Sequence, residues 1–154
     1  MRDHRKLRAF ELADQLALAV YQQTKGFPKE EQFGLTSQMR RAAVAVASDI
    51  VEGCARHSEP DYLRFWDMAY ASARELDYQL SLASRLGFLD EPGYKTLGGL
   101  SDETCRVIRG LMRALREKKS DLTASGLRSP SLSLSATDFA LALIFLRQAP
   151  STTT

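Results

Sequence analysis

Apolar residues return every three or four positions across four stretches of this chain, and the rhythm fades after residue 120. That period is the spacing of one face of an α-helix. The first stretch runs from about 3 to 25, with Phe10, Ala13, Ala17, Val20 and Thr24 on its inner face. Gly26-Phe27-Pro28 ends it, since glycine tolerates a left-handed cap and proline cannot continue the helix. The second begins near Lys29, where Glu30 and Glu31 suit the positive end of the helix dipole. Leu35, Met39, Ala42, Val46 and Ile50 form its core stripe, with a stop at Gly53. The Ala/Val-rich body of residues 38–56 lets neighbouring helices approach closely, which favours a tightly packed bundle over a cleft.

The third stretch has the clearest rhythm. Pro60 fits a first helical turn, and Glu59 and Asp61 strengthen that end. Tyr62, Trp66, Ala69, Ala73, Leu76, Leu80 and Ala83 then alternate in steps of four and three for three heptads, to a stop at Gly87. Such a seam belongs to helices packed at shallow angles. At about 1.5 Å per residue the helix is roughly 40 Å long. After the turn signals Pro92-Gly93 and Gly98-Gly99, Ser101 caps a fourth helix reaching about 119, with Thr104, Val107, Ile108, Leu111 and Leu115 as its apolar face. The expected fold class is all-α: an antiparallel up-down-up-down four-helix bundle over residues 1–119.

Residues 120–154 differ in kind. Six serines and a proline between 120 and 135 read as a flexible linker. The apolar run 139–146 reads as a short docked helix, a subunit contact or a sticky tail, so this C-terminal segment is expected to be weakly ordered.

Bulk properties narrow the class. A chain of 154 residues with 44% hydrophobic content fits one domain with a real core. Only nine glycines and five prolines favour helix over sheet. The formal charge of +2 does not by itself imply a nucleic-acid partner. Cys54 and Cys105 lie far apart and form no spacing framework, which points to a reducing compartment. The basic start (Arg2, Arg5, Lys6, Arg8) looks like that of a signal peptide, but Glu11, Asp14 and Gln15 interrupt any apolar run. No run approaches the roughly 20 residues needed to span a bilayer. The expected setting is the cytoplasm, without a membrane partner.

Residues able to carry chemistry are few. Asp49 falls beside the Ala42–Val46 stripe, and a buried carboxylate must be paired, hydrogen-bonded or protonated. It reads as an acid site or as a polar lock to Ser72, Tyr21 or an arginine. Arg40, Arg41, Glu52 and Glu75 read as interhelical or intersubunit ion pairs, which specify geometry more than they add stability. A di-iron site needs inward Glu-x-x-His pairs, and neither His4 nor His57 has a glutamate three positions earlier. Cys54-x-x-His57 has the spacing of one edge of a metal site, yet a tetrahedral zinc set would need Cys105 or His4 as well. Neither thiol has a base close in sequence, so nucleophilic catalysis finds no support. No metal and no cofactor is expected.

Two surface features remain. Arg106, Arg109, Arg113 and Arg116 step by three, four and three, within one arc of the fourth helix. With Lys118 and Lys119, set against Asp102, Glu103 and Glu117, they leave a net +3 over residues 101–119. The stripe reads as a contact for a phosphate backbone or as a solvated face whose cations suit the helix dipole. This stretch has no aromatic side chain for base stacking, which argues against sequence-specific single-strand recognition. On the third helix, Met68, Leu82 and Leu86 lie off the core face and read as oligomer contacts.

Between Phe27-Pro28 and Leu86 the chain also resembles a known family. The residues are Phe27, Pro28, Glu31 and Leu35, then Gln38-Met39-Arg40-Arg41-Ala42-Ala43, Asp49-Ile50, Glu52-Gly53 and Arg56. Ser72, Glu75-Leu76, Gln79-Leu80 and Leu86-Gly87 complete the set. Together they resemble the proteins encoded by intervening sequences in bacterial 23S ribosomal RNA, with coverage of about 4–119. The resemblance implies a cytosolic homopentamer of four-helix bundles around a central channel, with no established enzymatic activity. A more distant likeness is to the accessory variability protein of diversity-generating retroelements, a similar pentamer that partners a reverse transcriptase and nucleic acid. The chain departs from the family pattern at Ala45, usually Ser, and at Asp49, usually Asn, so no role of those side chains beyond packing is carried over. The readings converge on a non-enzymatic, self-assembling scaffold or adaptor; the alternative is a nucleic-acid-binding accessory protein using the arginine stripe.

Overall fold

The computed structural model describes residues 2–124, and among these every regular element is helical. The four α-helices are α1 (Arg8–Gln23), α2 (Leu35–Ala55), α3 (Glu59–Arg85) and α4 (Glu91–Ala124). The all-α expectation holds, with no strand among the described residues. By internal contacts the chain divides into Met1–Gly110 and Leu111–Thr154. In the first, Leu16, Val20, Met39, Leu76, Leu80 and Leu97 are fully excluded from solvent at the centre of the core. Each such side chain contributes about 1.5–3 kcal/mol by burial.

Helix ends carry most of the differences from the sequence pattern. The first segment is not one helix. A single 3-10 turn, His4–Lys6, is capped by Asp3, whose carboxylate accepts from the Arg5 N–H at 3.1 Å, and extended Leu7 separates it from α1. Leu12 and Leu16, with Ala9, Ala13 and Val20, form the inner face of α1. That face is turned from the expected Phe10–Ala17 line, because bulky leucines fill interhelical space that alanine leaves open. Phe10 is half-buried and meets the His4 ring edge-on at 4.6 Å.

α2 begins at Leu35 because Lys29–Gln32 forms a separate 3-10 turn and Gly34 departs from helical geometry. The Glu31 carboxylate caps the new start, accepting from the Leu35 N–H at 2.9 Å. Gly53 does not stop α2, which continues to Ala55; the residue is buried against α3 instead. α3 matches its pattern, with all seven seam residues from Tyr62 to Ala83 buried. Ser58 accepts from the Asp61 N–H at 3.2 Å with Pro60 in the first turn. At the far end Gly87, at φ +74°, closes a Schellman motif: its N–H donates to the Ser84 carbonyl and that of Phe88 to the Ala83 carbonyl, both at 3.0 Å.

α4 starts at Glu91, well before the expected cap at Ser101. Asp90 is the cap, accepting from the Gly93 N–H at 2.9 Å. Pro92 then occupies the first turn, where its missing N–H would have no helical partner. The Pro92-Gly93 turn signal is thus a helix start, Gly98 and Gly99 lie inside the helix, and Ser101 is fully buried. α4 continues past 119 to Ala124. The rest of the expected linker and the apolar run 139–146 lie outside the described residues. In the second division, Leu111, Met112 and Leu115 of α4 are buried. No helix among the described residues is long and apolar enough to cross a membrane.

Contacts between the helices and their flanking turns fix the neighbours. α2 packs most extensively on α3, in opposite sense: Arg41 meets Glu75, Asp49 meets Ser72, and Gly53 meets Phe65 and Tyr62. α1 lies along α2, joined by Arg40 to Thr24 at one end and by the Arg2 N–H to the Cys54 carbonyl at the other. Arg8 of α1 pairs with Glu103 of α4 at 3.1 Å.

Candidate functional sites: the α2–α3 seam and a basic depression

Helical spacing places Gln38, Arg41, Asp49 and Glu52 along the side of α2 next to α3, and Arg56 follows just past its end. α3 answers with Phe65, Ser72, Glu75 and Gln79. Arg41 donates to the Gln38 amide oxygen and lies 3.8 Å from Glu75, whose Oε1 accepts from Gln79 Nε2 at 3.0 Å. Ser72 Oγ donates to Asp49 Oδ2 at 3.5 Å. Arg56 pairs with Glu52 and stacks on the Phe65 ring, 4.7 Å from its centre. The Arg41 and Glu75 side chains are 70% and 48% exposed, so within one chain their pairing contributes only about 0–1 kcal/mol.

Arg40 stands apart from this seam, and within the chain it makes a hydrogen bond and a ring contact and no ion pair among the described residues. Its Nε donates to Thr24 Oγ1 at 2.8 Å and its guanidinium lies 4.9 Å from the Tyr21 ring centre. Asp49 is half-buried, and of the locks considered for it the structure provides Ser72, while Tyr21 engages Arg40. Burial raises the Asp49 pKa; the Ser72 hydrogen bond opposes this and Glu52 adds to it.

Outside the seam lies apolar surface. Met68 and Leu86 are 42% and 51% exposed and Leu82 is half-buried. Sequence reasoning missed the exposed Tyr78 on α3 and the exposed Val44 and Val51 on α2. The seven-residue repeat of Val44 and Val51, off the Met39–Ile50 stripe, was the available signal.

Cys54 is buried, and burial pushes its thiol up to about 11. The Cys105 thiol is raised for the same reason, although Arg74 pulls it down. His57 is exposed. No group of three or more metal-ligating side chains occurs among the described residues.

The arginine stripe divides. Arg106 and Arg109 are exposed and, with Asp102 and Cys105 of α4 and Tyr70 and Arg74 of α3, line a depression of about 410 Å³. Arg74 pairs with Asp77 at 3.0 Å, whereas Arg106 and Arg109 have no ion pair among the described residues. Arg113 and Arg116 are also exposed and belong to the second division, where Arg113 pairs with Glu117 at 3.7 Å. Tyr70 and Arg74 escaped sequence reasoning because they come from a different helix.

Fold and sites define an all-α, four-helix protein whose marked polar positions mostly share one interhelical seam. The chain belongs to the 23S rRNA-intervening sequence protein family, which matches residues 5–110. Five solved chains match it. One is a protein of unknown function from the S23 ribosomal protein family of Bacteroides thetaiotaomicron, 18% identical over 68% of this chain and 97% of that one, with a TM-score of 0.64. That likeness concerns the fold alone. None of the curated proteins matches the chain.

Proposed function

We propose that this protein is a non-enzymatic cytoplasmic scaffold or adaptor that acts by self-association. Its helices form an up-down-up-down bundle, a reading supported by the opposed residue pairs of α1 with α2 and α2 with α3. Copies assemble into a closed ring, taken as a pentamer from the family resemblance. The observation that carries the proposal is the apolar set of exposed Met68 and Leu86 with half-buried Leu82, on the helix that also carries the charged seam. Apolar residues interspersed with charged ones along one helix face suit an interface between copies. Support for binding over catalysis comes from the two thiols, both kept neutral by burial. Light scattering tests assembly: the expected particle is a multiple of the 17.2 kDa chain. Met68→Arg or Leu82→Arg should return it to single chains. A wild-type monomer at micromolar concentration would remove the proposal.

A second reading is favoured by one observation, that Arg106 and Arg109 have no carboxylate partner in an ion pair among the described residues. In it, Arg106, Arg109, Arg113 and Arg116 contact a nucleic-acid backbone, and the protein assists a nucleic-acid enzyme. Such binding weakens steeply with salt. Arg109→Glu with Arg113→Glu should abolish it; binding unchanged by that pair sinks this reading.

A further inference from the structure

α3 and α4 build a recess that the charge pattern of neither helix implies. Tyr70 and Arg74 lie one turn apart on α3, while Asp102, Cys105, Arg106 and Arg109 recur on one face of α4, and together they line about 410 Å³. That volume suits a small molecule. Three arginines line it, beside one carboxylate, Asp102. Arg74 pairs with Asp77 at 3.0 Å, and among the described residues neither Arg106 nor Arg109 has an ion pair. Arg106 and Arg109, one turn apart, are like charges left facing solvent, an arrangement an anion relieves. A guanidinium offers a planar fork of donors that matches phosphate oxygens two at a time.

The rest of the lining has a matching chemistry. Tyr70 is half-buried and supplies the aromatic ring that the arginine stripe lacks. Planar bases stack on such rings, and the adjacent cations strengthen the contact. Asp102 is an acceptor for a sugar hydroxyl. Cys105 is 8% exposed and its thiol stays protonated, so it forms a neutral wall instead of a nucleophile.

We propose that this recess binds the phosphate of a nucleotide, free or at the 5′ end of a strand, with Arg106 and Arg109 on the phosphate and Tyr70 on the base. The site is separate from the seam assigned to self-association, and it narrows the nucleic-acid reading to a terminal phosphate instead of a backbone.

Calorimetric titration of the full chain with AMP, adenosine and inorganic phosphate tests it. Fluorescence anisotropy with one short oligonucleotide, with and without a 5′ phosphate, supplies the second arm. Saturable binding of AMP or of the phosphorylated strand is expected, with adenosine and the unphosphorylated strand weaker by roughly tenfold or more. AMP binding assigns a free nucleotide as ligand, and binding of the phosphorylated strand alone assigns a strand end. Arg106→Ala and Arg109→Ala, both at exposed positions, should each weaken binding roughly tenfold. Tyr70→Leu should weaken it similarly, and Tyr70→Phe should retain it. The proposal is overturned if neither AMP nor the phosphorylated strand binds up to millimolar concentration, if the phosphate makes no difference, or if the arginine variants bind as wild type. Salt-sensitive binding of both strands alike would support the backbone reading and overturn this one.

Discussion

Gly53 of α2 and Phe65 of α3 touch so closely that a Cβ added to the glycine would lie 2.9 Å from the phenylalanine Cβ. Carbon atoms attached to backbone cannot retreat without moving a helix. In a helix interior alanine is favoured over glycine by about 1 kcal/mol, but overpacking a tight contact costs about 1–3 kcal/mol. Gly53→Ala is therefore expected to lower stability by about 1 kcal/mol, and Gly53→Val by more, in chemical denaturation. A more stable Gly53→Ala protein would falsify the close approach.

Arg40 joins α2 to α1 through a hydrogen bond to Thr24 and a stacked contact with Tyr21. Losing both should cost about 1–2 kcal/mol in Arg40→Ala. Arg40→Lys should recover little, since an ammonium cannot reproduce the flat donor array. Denaturation midpoints of the two variants decide it: equal rescue by lysine would mean that charge alone matters here.

Asp49 should make stability depend on pH. Its folded pKa lies above its unfolded one, chiefly because of burial. The contribution of this group is therefore whole below the ordinary aspartate range and lost as pH rises through the folded value. Asp49→Asn stays neutral throughout and keeps an acceptor for the Ser72 hydroxyl. It should melt higher than wild type at pH 7, with the gap closing in acid. A gap that widens in acid would contradict the assigned shift.

Cys54 should resist alkylation. Its pKa rises from 9.0 to about 11, which cuts the reactive thiolate at pH 8 on the order of a hundredfold, before burial blocks the reagent. Because the folded value is the higher one, the stabilising share of this thiol persists below the ordinary thiol range and disappears as pH passes about 11. Mass-resolved labelling of the native protein should show Cys54 modified no faster than global unfolding exposes it; rapid native labelling would refute its burial.

The sequence pattern read α3 almost to the residue, because its heptad seam, the Pro60 first turn and the Gly87 stop are local signals. α4 was misplaced at its start: Pro92-Gly93 carries the chemistry of a turn, and only the Asp90 cap shows that it opens a helix. α1 kept its helical character but its face was turned, since Phe10 is apolar enough to pass for core while Leu12 and Leu16 fill the actual interior. The seam residues Gln38, Arg41, Asp49, Glu52 and Glu75 were legible as a set, though not their joint placement. Tyr70 and Arg74 were not legible as a site, because their relation to Arg106 and Arg109 exists only across two helices.

Only Arg56, His57 and Ser58 separate α2 from α3. Most contacts of that seam therefore join positions near each other along the chain, and closing so short a loop loses little chain freedom. Contacts of this kind form early and quickly. The α2–α3 hairpin is expected to be ordered in the folding transition state, so that truncations such as Leu76→Ala slow refolding, while Leu12→Ala in α1 mainly speeds unfolding. The polypeptide would then gather itself from the middle outward, its first and last helices arriving on a pair already formed.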